Sequence, residues 1–312
     1  MRLSVELVTM GHVLSETIVF ADGTRKGPLL GSPPAYASAV SARLGFHSGI
    51  VTKLGPDAPA GLLSPLLEAG VDLEGVDRSS PVTTTNELIY AADGAKELRY
   101  LRQAAEIVFE DIPERYLTAS VFHVGTLDYE VSPATVSRIA ALGPILAVDL
   151  GGYGGAHVRR DTAARKRLSA AELRQLVACS TVVKASDEDA RLLFSSEHLS
   201  ETQVARRFVD WGADVGLLTL GARGSIVASG RDIVQVPALP GEVADVTGGG
   251  DCYLSGFLVE YRRTGDPLQS ARFATAVARW VIGRTGGVLA ERMPRDVQVR
   301  ELMREAMAQV SR

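Results

Sequence analysis

The run Asp245-Val246-Thr247-Gly248-Gly249-Gly250-Asp251-Cys252-Tyr253 passes without a break into an apolar pattern of helical period, Leu254, Phe257, Leu258 and Tyr261. Three consecutive glycines let a backbone come close to a ligand. Where the helix begins, its unpaired N–H groups and its dipole make an anion site. A carboxylate at the same end, Asp251, is placed to take a proton from a nucleophile. An anion cradle beside a carboxylate is what phosphoryl transfer to a hydroxyl requires. The plain alternative is a glycine-rich turn in which Asp251 merely favours the helix start, as acids do.

On either side of this run, short β-branched stretches alternate with amphipathic stretches of helical length. Strands are expected at Leu3–Met10, Gly49–Lys53, Val121–Val124, Ile145–Leu150, Thr181–Lys184, Val215–Leu220, Ser225–Ala228 and Ile233–Val236. Helices are expected at Pro34–Leu44, Ala58–Ala69, Pro133–Ala141, Ala170–Val177, Asp187–Phe194, Glu201–Trp211, Gly249–Arg263 and Pro267–Ile282. Such alternation implies an α/β fold with a mostly parallel sheet covered on both faces. Residues 13–32 and 83–105 break the rhythm. They are strand-like with no helix between them, and Ala92-Asp93-Gly94-Ala95 reads as a hairpin turn. A β excursion of this kind suggests a lid or an oligomer surface. No repeat and no long Pro/Gly/Ser linker divides the chain, so one domain is expected over residues 1–312.

The bulk numbers fit an ordinary globular enzyme. Of the 312 residues, 46% are hydrophobic and 22% charged, enough apolar material for a large core. A net charge of −4 argues against a nucleic-acid or polybasic membrane surface. Cys179 and Cys252 are too few for a disulfide framework or a four-ligand zinc site. Free thiols, a strand-like start and the lack of any apolar run near about 20 residues point to a cytoplasmic protein.

The glycine run also resembles the second signature of the ribokinase/phosphofructokinase-B carbohydrate kinases, D-T-x-G-A-G-D. Gly31-Ser32-Pro33-Pro34-Ala35-Tyr36-Ala37-Ser38, followed by Leu44-Gly45, is similar to that family's first signature, G-G-x-x-x-N-x-A…L-G. Val51–Asp57 resembles the segment that follows it. Lys184–Asp189 lies where the family has an N-x-x-E element, and Thr219–Gly224 is similar to its T-x-G-x-x-G nucleotide loop. The five landmarks come in order over nearly the whole chain. A local likeness around Pro144–Leu150 and Val182–Glu188 is to the myo-inositol kinase branch, and a nucleoside kinase is the next reading.

The resemblance implies a ribokinase-like three-layer αβα sandwich with a small β-sheet lid, and an ATP-dependent kinase acting on a sugar, polyol or nucleoside. It implies Asp251 as the base and the amides of Gly248, Gly249 and Gly250 as stabilisers of the transferring phosphoryl group. It places ATP against Lys184, Ser186, Thr219, Gly221, Gly224 and Thr247. Mg²⁺ falls to Asp189, through water, with Glu188 as a neighbouring candidate, and a monovalent cation is a further candidate ligand. Glu16, Gly31, Ser32 and Tyr36, with Asp251, fall on the substrate, and a homodimer through the lid is implied. The sequence departs from the family mainly at that end: Tyr36 replaces Asn, Glu16 replaces Asp and Ser32 replaces the second Gly. The usual hexose or ribose assignment is therefore open. A non-catalytic binding protein on the same scaffold is opposed by the retention of Asp251 with Gly248 and Gly250.

Other features read more plainly. Gly151-Gly152-Tyr153-Gly154-Gly155 misses the dinucleotide pattern, since His157 stands at the sixth position counted from Gly152, and it reads as a flexible loop. The run Arg159, Arg160, Arg165, Lys166, Arg167 reads as a solvated face. His12 and His123 read as core or rim residues. Cys252 reads as packing, with a thiol that a helix start could sensitise to alkylation.

Overall fold

The computed structural model describes residues 4–90, 96–158 and 168–310. Its strands are Leu7–Met10 (β1), Leu14–Val19 (β2), Arg25–Gly31 (β3), Ser48–Lys53 (β4), Asp72–Asp77 (β5), Thr85–Tyr90 (β6), Lys96–Arg102 (β7), Val121–Gly125 (β8), Ile145–Asp149 (β9), Val182–Ser186 (β10), Val215–Thr219 (β11), Ser225–Ser229 (β12) and Asp232–Val236 (β13). Its α-helices are Pro33–Arg43 (α1), Ser64–Ala69 (α2), Pro133–Ala140 (α3), Ala170–Ala178 (α4), Asp187–Leu193 (α5), Glu201–Asp210 (α6), Gly249–Thr264 (α7), Pro267–Ile282 (α8) and Asp296–Val310 (α9).

Nine strands form one sheet in the order β13-β12-β11-β10-β9-β8-β1-β4-β5. All its pairings are parallel except β11–β12 and β12–β13, which are antiparallel. Successive side chains divide between the faces, as strand geometry demands. Leu7, Ile50, Val121, Ala147 and Val182 pack with α1, α2, α7, α8 and Val299 of α9. Val8, Val51, Phe122, Leu146 and Val183 pack with α3 to α6. The near-continuous apolar strands are thus buried on both sides, which is the condition for a parallel sheet. The expected break in rhythm is a second, four-stranded sheet in the order β3-β2-β6-β7, with a parallel β2–β6 pair flanked by antiparallel ones.

Two elements were not expected. Strand β5 reads DLEGVD, with no β-branched run. It is a sheet edge whose acids Asp72 and Glu74 both pair with Arg115, and edge strands commonly carry charge. Helix α9 mixes charged residues with apolar ones, of which Val299 is in the core. It is tied down by Arg300 Nη2 on the buried Glu260 at 2.8 Å and by Asp296 on Arg263 Nη1 at 2.6 Å. The expected helix over 58–69 shortens to α2, because residues 58–63 turn before Ser64. The Ala92–Ala95 hairpin turn and the basic run Arg159 to Arg167 lie outside the described residues.

Parallel strands bring their carboxyl ends to one edge, and the loops there build the site. A buried carboxylate fastens two of them. Glu130 accepts from the N–H groups of His12 at 3.1 Å, Leu127 at 2.8 Å and Asp128 at 2.8 Å, joining the loop after β1 to the loop after β8. Replacement Glu130→Ala strands three donors, two of them buried, at roughly 1–3 kcal/mol for each buried one when fully unsatisfied. Thermal melting should show a lower Tm with a single transition, and an unchanged Tm would refute this role.

Candidate active site

Strands β9, β10 and β11 deliver Asp149, Lys184, Ser186 and Thr219 to the carboxyl edge, with Lys184 in register with Asp149 and Ser186 with Thr219. Lys184 Nζ meets Asp149 Oδ2 at 2.9 Å, and both side chains are almost wholly buried. Burial works against the Lys184 charge, but Asp149, Asp189 and Asp251 nearby outweigh it and raise the ammonium's pKa. The site therefore holds a permanent cation. A Cβ placed on Gly250 would lie 3.2 Å from Nζ, so that cation sits directly beside the glycine turn.

Asp251 is in the first turn of α7. Its carboxyl pKa is raised, first by burial and then by the like charges of Asp149 and Asp189, while His157 and Lys184 pull the other way. Among the described residues no group donates a hydrogen bond to it. Asp189 differs in kind. Its Oδ1 accepts from Ala156 N at 2.8 Å, and its Oδ2 accepts from Ser186 N and Ser186 Oγ, each at 2.7 Å. Burial would lift its pKa, but Lys184, His157 and these donors hold it low. One carboxylate is locked as an anion by fixed donors; the other is left with free lone pairs and enhanced basicity.

The turn preceding α7 is left-handed at Gly248, with φ +76°, and any Cβ there would fall 2.4 Å from the Tyr36 ring. Glycine is therefore required at Gly248. Gly249 N donates to Val246 O at 3.1 Å and Cys252 N to Gly248 O at 2.9 Å. Among the described residues the N–H groups of Gly248, Gly250 and Asp251 find no acceptor, which is the condition for an anion cradle. Cys252 is fully buried and burial pushes its thiol pKa up, so the alkylation sensitivity considered for it does not arise.

Arg292 secures this turn from behind. Its side chain is 1% exposed, and it donates to Asp245 O at 3.0 Å, Thr247 O at 3.1 Å, Gly287 O at 3.1 Å and Arg284 O at 2.9 Å. Tyr36 joins the same group, its hydroxyl 3.5 Å from Arg292 Nη1 and its ring 5.8 Å from the guanidinium carbon. Tyr36 is 4% exposed. Its ring supports Gly248 and its hydroxyl points to Arg292, so a direct substrate contact gives way to a supporting role.

The rest of the expected substrate set lies at the junction with the small sheet. Glu16 on β2 accepts from Asn86 Nδ2 on β6 at 3.0 Å. Burial raises its pKa, the Asn86 bond lowers it and nearby Asp245 raises it again. Among the described residues the Oδ1 of Asn86 is buried and finds no hydrogen-bond partner. Gly31 ends β3, a Cβ there falling 3.9 Å from Glu16 Cβ, and Ser32 caps α1 through a 3.4 Å bond from Ala35 N. On the opposite side, Gly221 begins an exposed 3₁₀ turn. Gly224, with φ +89°, lies against Val236 O, which a Cβ would meet at 2.0 Å. The Gly151–Gly155 segment is not a loose loop. Gly151, Gly152 and Gly155 are buried, and Gly152 is packed against Thr126.

Among the described residues no three acidic, His or Cys side chains are grouped to hold a metal directly. Mg²⁺ needs only one or two carboxylates when phosphates and waters complete its shell. Asp189, already holding three donors, fits that demand through water, whereas Glu188 is exposed on α5. Sequence reading passed over Asp149, Asn86 and Arg292. A charge ending the apolar strand PILAVD was a signal for Asp149; a lone arginine in a loop carries none.

A family model described as pfkB family carbohydrate kinase matches residues 37–292. A cytidine kinase from Thermococcus kodakarensis is 31% identical over 287 residues, covering 90% of this chain and 98% of that protein. A nucleoside kinase from Methanothermobacter thermautotrophicus is 25% identical over 301 residues, covering 90% of each. The fructokinase of Xylella fastidiosa, solved with bound ATP, superimposes with a TM-score of 0.82 at 22% identity, over 98% of this chain and 100% of that one.

Replacement Asp251→Asn should lower kcat by about 10²–10⁴-fold while nucleotide binding is kept. A base must be deprotonated to act, so rate should rise with pH through the Asp251 pKa, with the limb above the ordinary carboxylate value of 3.8. That limb should vanish in Asp251→Asn, and a pH–rate profile of both proteins checks it. Gly248→Ala incurs about 1–2 kcal/mol of left-handed strain as well as the collision with Tyr36. Weaker ATP binding by calorimetry is expected, and wild-type affinity would mean the turn is only a turn.

Proposed function

The chain belongs to the pfkB family of carbohydrate kinases, a phosphotransferase with an alcohol acceptor, and from that premise we propose that it transfers the γ-phosphate of ATP to a ribose hydroxyl of a nucleoside. The observation that carries the reading is the Glu16–Asn86 pair at the lid, a carboxylate joined to an amide whose buried Oδ1 has no partner among the described residues. Together they can accept from vicinal hydroxyls, as a ribose presents. An apolar cluster of Leu14, Tyr100 and Leu127 lies across the junction of lid and core, and suits the flat face of a base. The whole-length likeness to a cytidine kinase and a nucleoside kinase supports a nucleoside over myo-inositol.

In this reading the substrate hydroxyl gives its proton to Asp251, whose raised pKa and free lone pairs suit it to receive one. The freed oxygen forms a bond to the γ-phosphorus as the bond to the β,γ-bridging oxygen breaks, and ADP leaves. The free amides of Gly248, Gly250 and Asp251 and the Lys184 ammonium face the charge that spreads over the transferring group; the Gly249 amide expected to join them is already spent on Val246 O. Ser186, Thr219, Thr247, Gly221 and Gly224 border the nucleotide. Asp189 would hold Mg²⁺ through water, and the ion would supply neutralisation of the phosphate charge. No helix among the described residues is long and apolar enough to cross a membrane. Dimerisation through the lid remains part of the proposal, supported by exposed Phe20 and Leu101 on β2–β7 strand ends and two unpaired edges, β3 and β7.

Coupled ADP-release assays with cytidine, adenosine, ribose, myo-inositol, fructose and fructose phosphate test the substrate. The nucleosides should give the highest kcat/KM, and preference for a phosphate ester would overturn the assignment. Glu16→Gln and Asn86→Ala should each raise the nucleoside KM by about 10-fold, equivalent to roughly 1.4 kcal/mol, near the value of one lost hydrogen bond, with KM for ATP unchanged.

A further inference from the structure

Five backbone carbonyl oxygens converge on the buried Arg292 guanidinium. They are Val281 at 3.2 Å and Arg284 at 2.9 Å on Nε, Gly287 at 3.1 Å on Nη1, and Asp245 at 3.0 Å and Thr247 at 3.1 Å on Nη2. The Asp245 carboxylate adds its charge, with Oδ2 at 3.5 Å. The carbonyls come from two separate segments, the stretch leading into the glycine turn and the end of α8 with the turn that follows it. Without a cation their negative ends would face one another in a space closed to water. Converging carbonyl oxygens with a nearby carboxylate form the kind of cage that strips and holds a monovalent metal ion.

We propose that the Arg292 guanidinium is a built-in cation that occupies this carbonyl cage and orders the anion-binding turn, so that the protein needs no exchangeable monovalent ion. A metal ion does not fit beside it. The carbonyls are already spent on N–H donors at ordinary hydrogen-bond lengths, and a second cation a few ångströms from a guanidinium is repelled. A guanidinium suits the place better than a lysine, since its fixed fork of five N–H groups reaches oxygens in several directions at once. The same side chain also stays under Tyr36, which closes on Gly248. The charge, the loop and the cradle are therefore one unit.

The inference rests on the reading of the Gly248–Gly250 turn as the phosphate cradle, but its first test needs no substrate. The Tm and ATP affinity of the unmodified protein are measured in potassium, sodium and tetramethylammonium chloride at equal ionic strength. Neither quantity should depend on the cation, whereas a Tm or affinity raised specifically by potassium would overturn the proposal. Arg292→Ser empties the cage. In tetramethylammonium its Tm should fall by roughly 6–10 °C, the loss expected on removing one member of a buried charged network. Potassium or millimolar guanidinium should restore part of that loss, together with ATP affinity. A variant equal to the unmodified protein without either ion would refute the inference, as would a loss that neither ion relieves. Should Arg292→Ser not fold, Arg292→Lys keeps a charge with three donors and should fold but melt below the unmodified protein. An Arg292→Lys protein melting at or above the unmodified one would likewise count against the cage. Absence of nucleoside phosphorylation would bear on the proposed substrate and leave the Tm result intact.

Discussion

The constraint beneath this site is a buried positive charge that has to be surrounded by oxygen. Arg292 is removed from water almost completely, and a charge in that position is costly unless every donor is satisfied. It meets that demand by drawing together backbone from Asp245–Thr247 and from Val281–Gly287, and by taking the Tyr36 hydroxyl. Those contacts settle where the chain stands just before Gly248. The left-handed turn at Gly248 and the start of α7 follow from them, and so does the direction of the unpaired amides.

A second charge organises the opposite wall. Lys184 lies among Asp149, Asp189 and Asp251, three acids around one ammonium. The local excess of negative charge is tolerable because two acids are tied down: Asp149 to Lys184 and the Gly151 amide, Asp189 to Ser186 and Ala156. Asp251 has no such tie, and burial first, with the like charges of Asp149 and Asp189 added to it, raises its pKa. Neighbouring groups of one chemical type thus acquire different protonation behaviour, which is how a fold prepares an acid and a base from the same residue.

The small sheet adds the third wall. It is linked to the large sheet by side chains from both, since Tyr100 Oη donates to His157 O at 3.0 Å and Thr84 Oγ1 lies 3.0 Å from His12 Nδ1. These contacts set Glu16 and Asn86 at the junction, where their unspent acceptor capacity is sheltered from water. A buried acceptor without a donor is unfavourable in the free protein and becomes an asset once a substrate hydroxyl supplies the bond.

Local pattern was enough for what depends on neighbours in the chain. The glycine run before an apolar helix announced the cradle and its carboxylate, because helix starts and glycine turns are properties of a few consecutive residues. Alternation of strands and helices announced the layered sheet, because burial on both faces leaves a continuous apolar record. The acidic edge strand β5 and the charge-rich helix α9 left no such record, since each is held in part by ion pairs with distant residues, Arg115 for β5 and Glu260 and Arg263 for α9. The partners of Tyr36 were likewise hidden. Its place in a matched signature suggested a substrate contact, but the residues that claim it, Gly248 and Arg292, lie more than two hundred positions away. The chain's own order of residues was enough for the fold class, the glycine turn and the carboxylate beside it. Folding in three dimensions assigned the charge that holds the cradle and the acceptors that await a substrate, because both arise from backbone and side chains that meet only when sheet, helices and lid close around them.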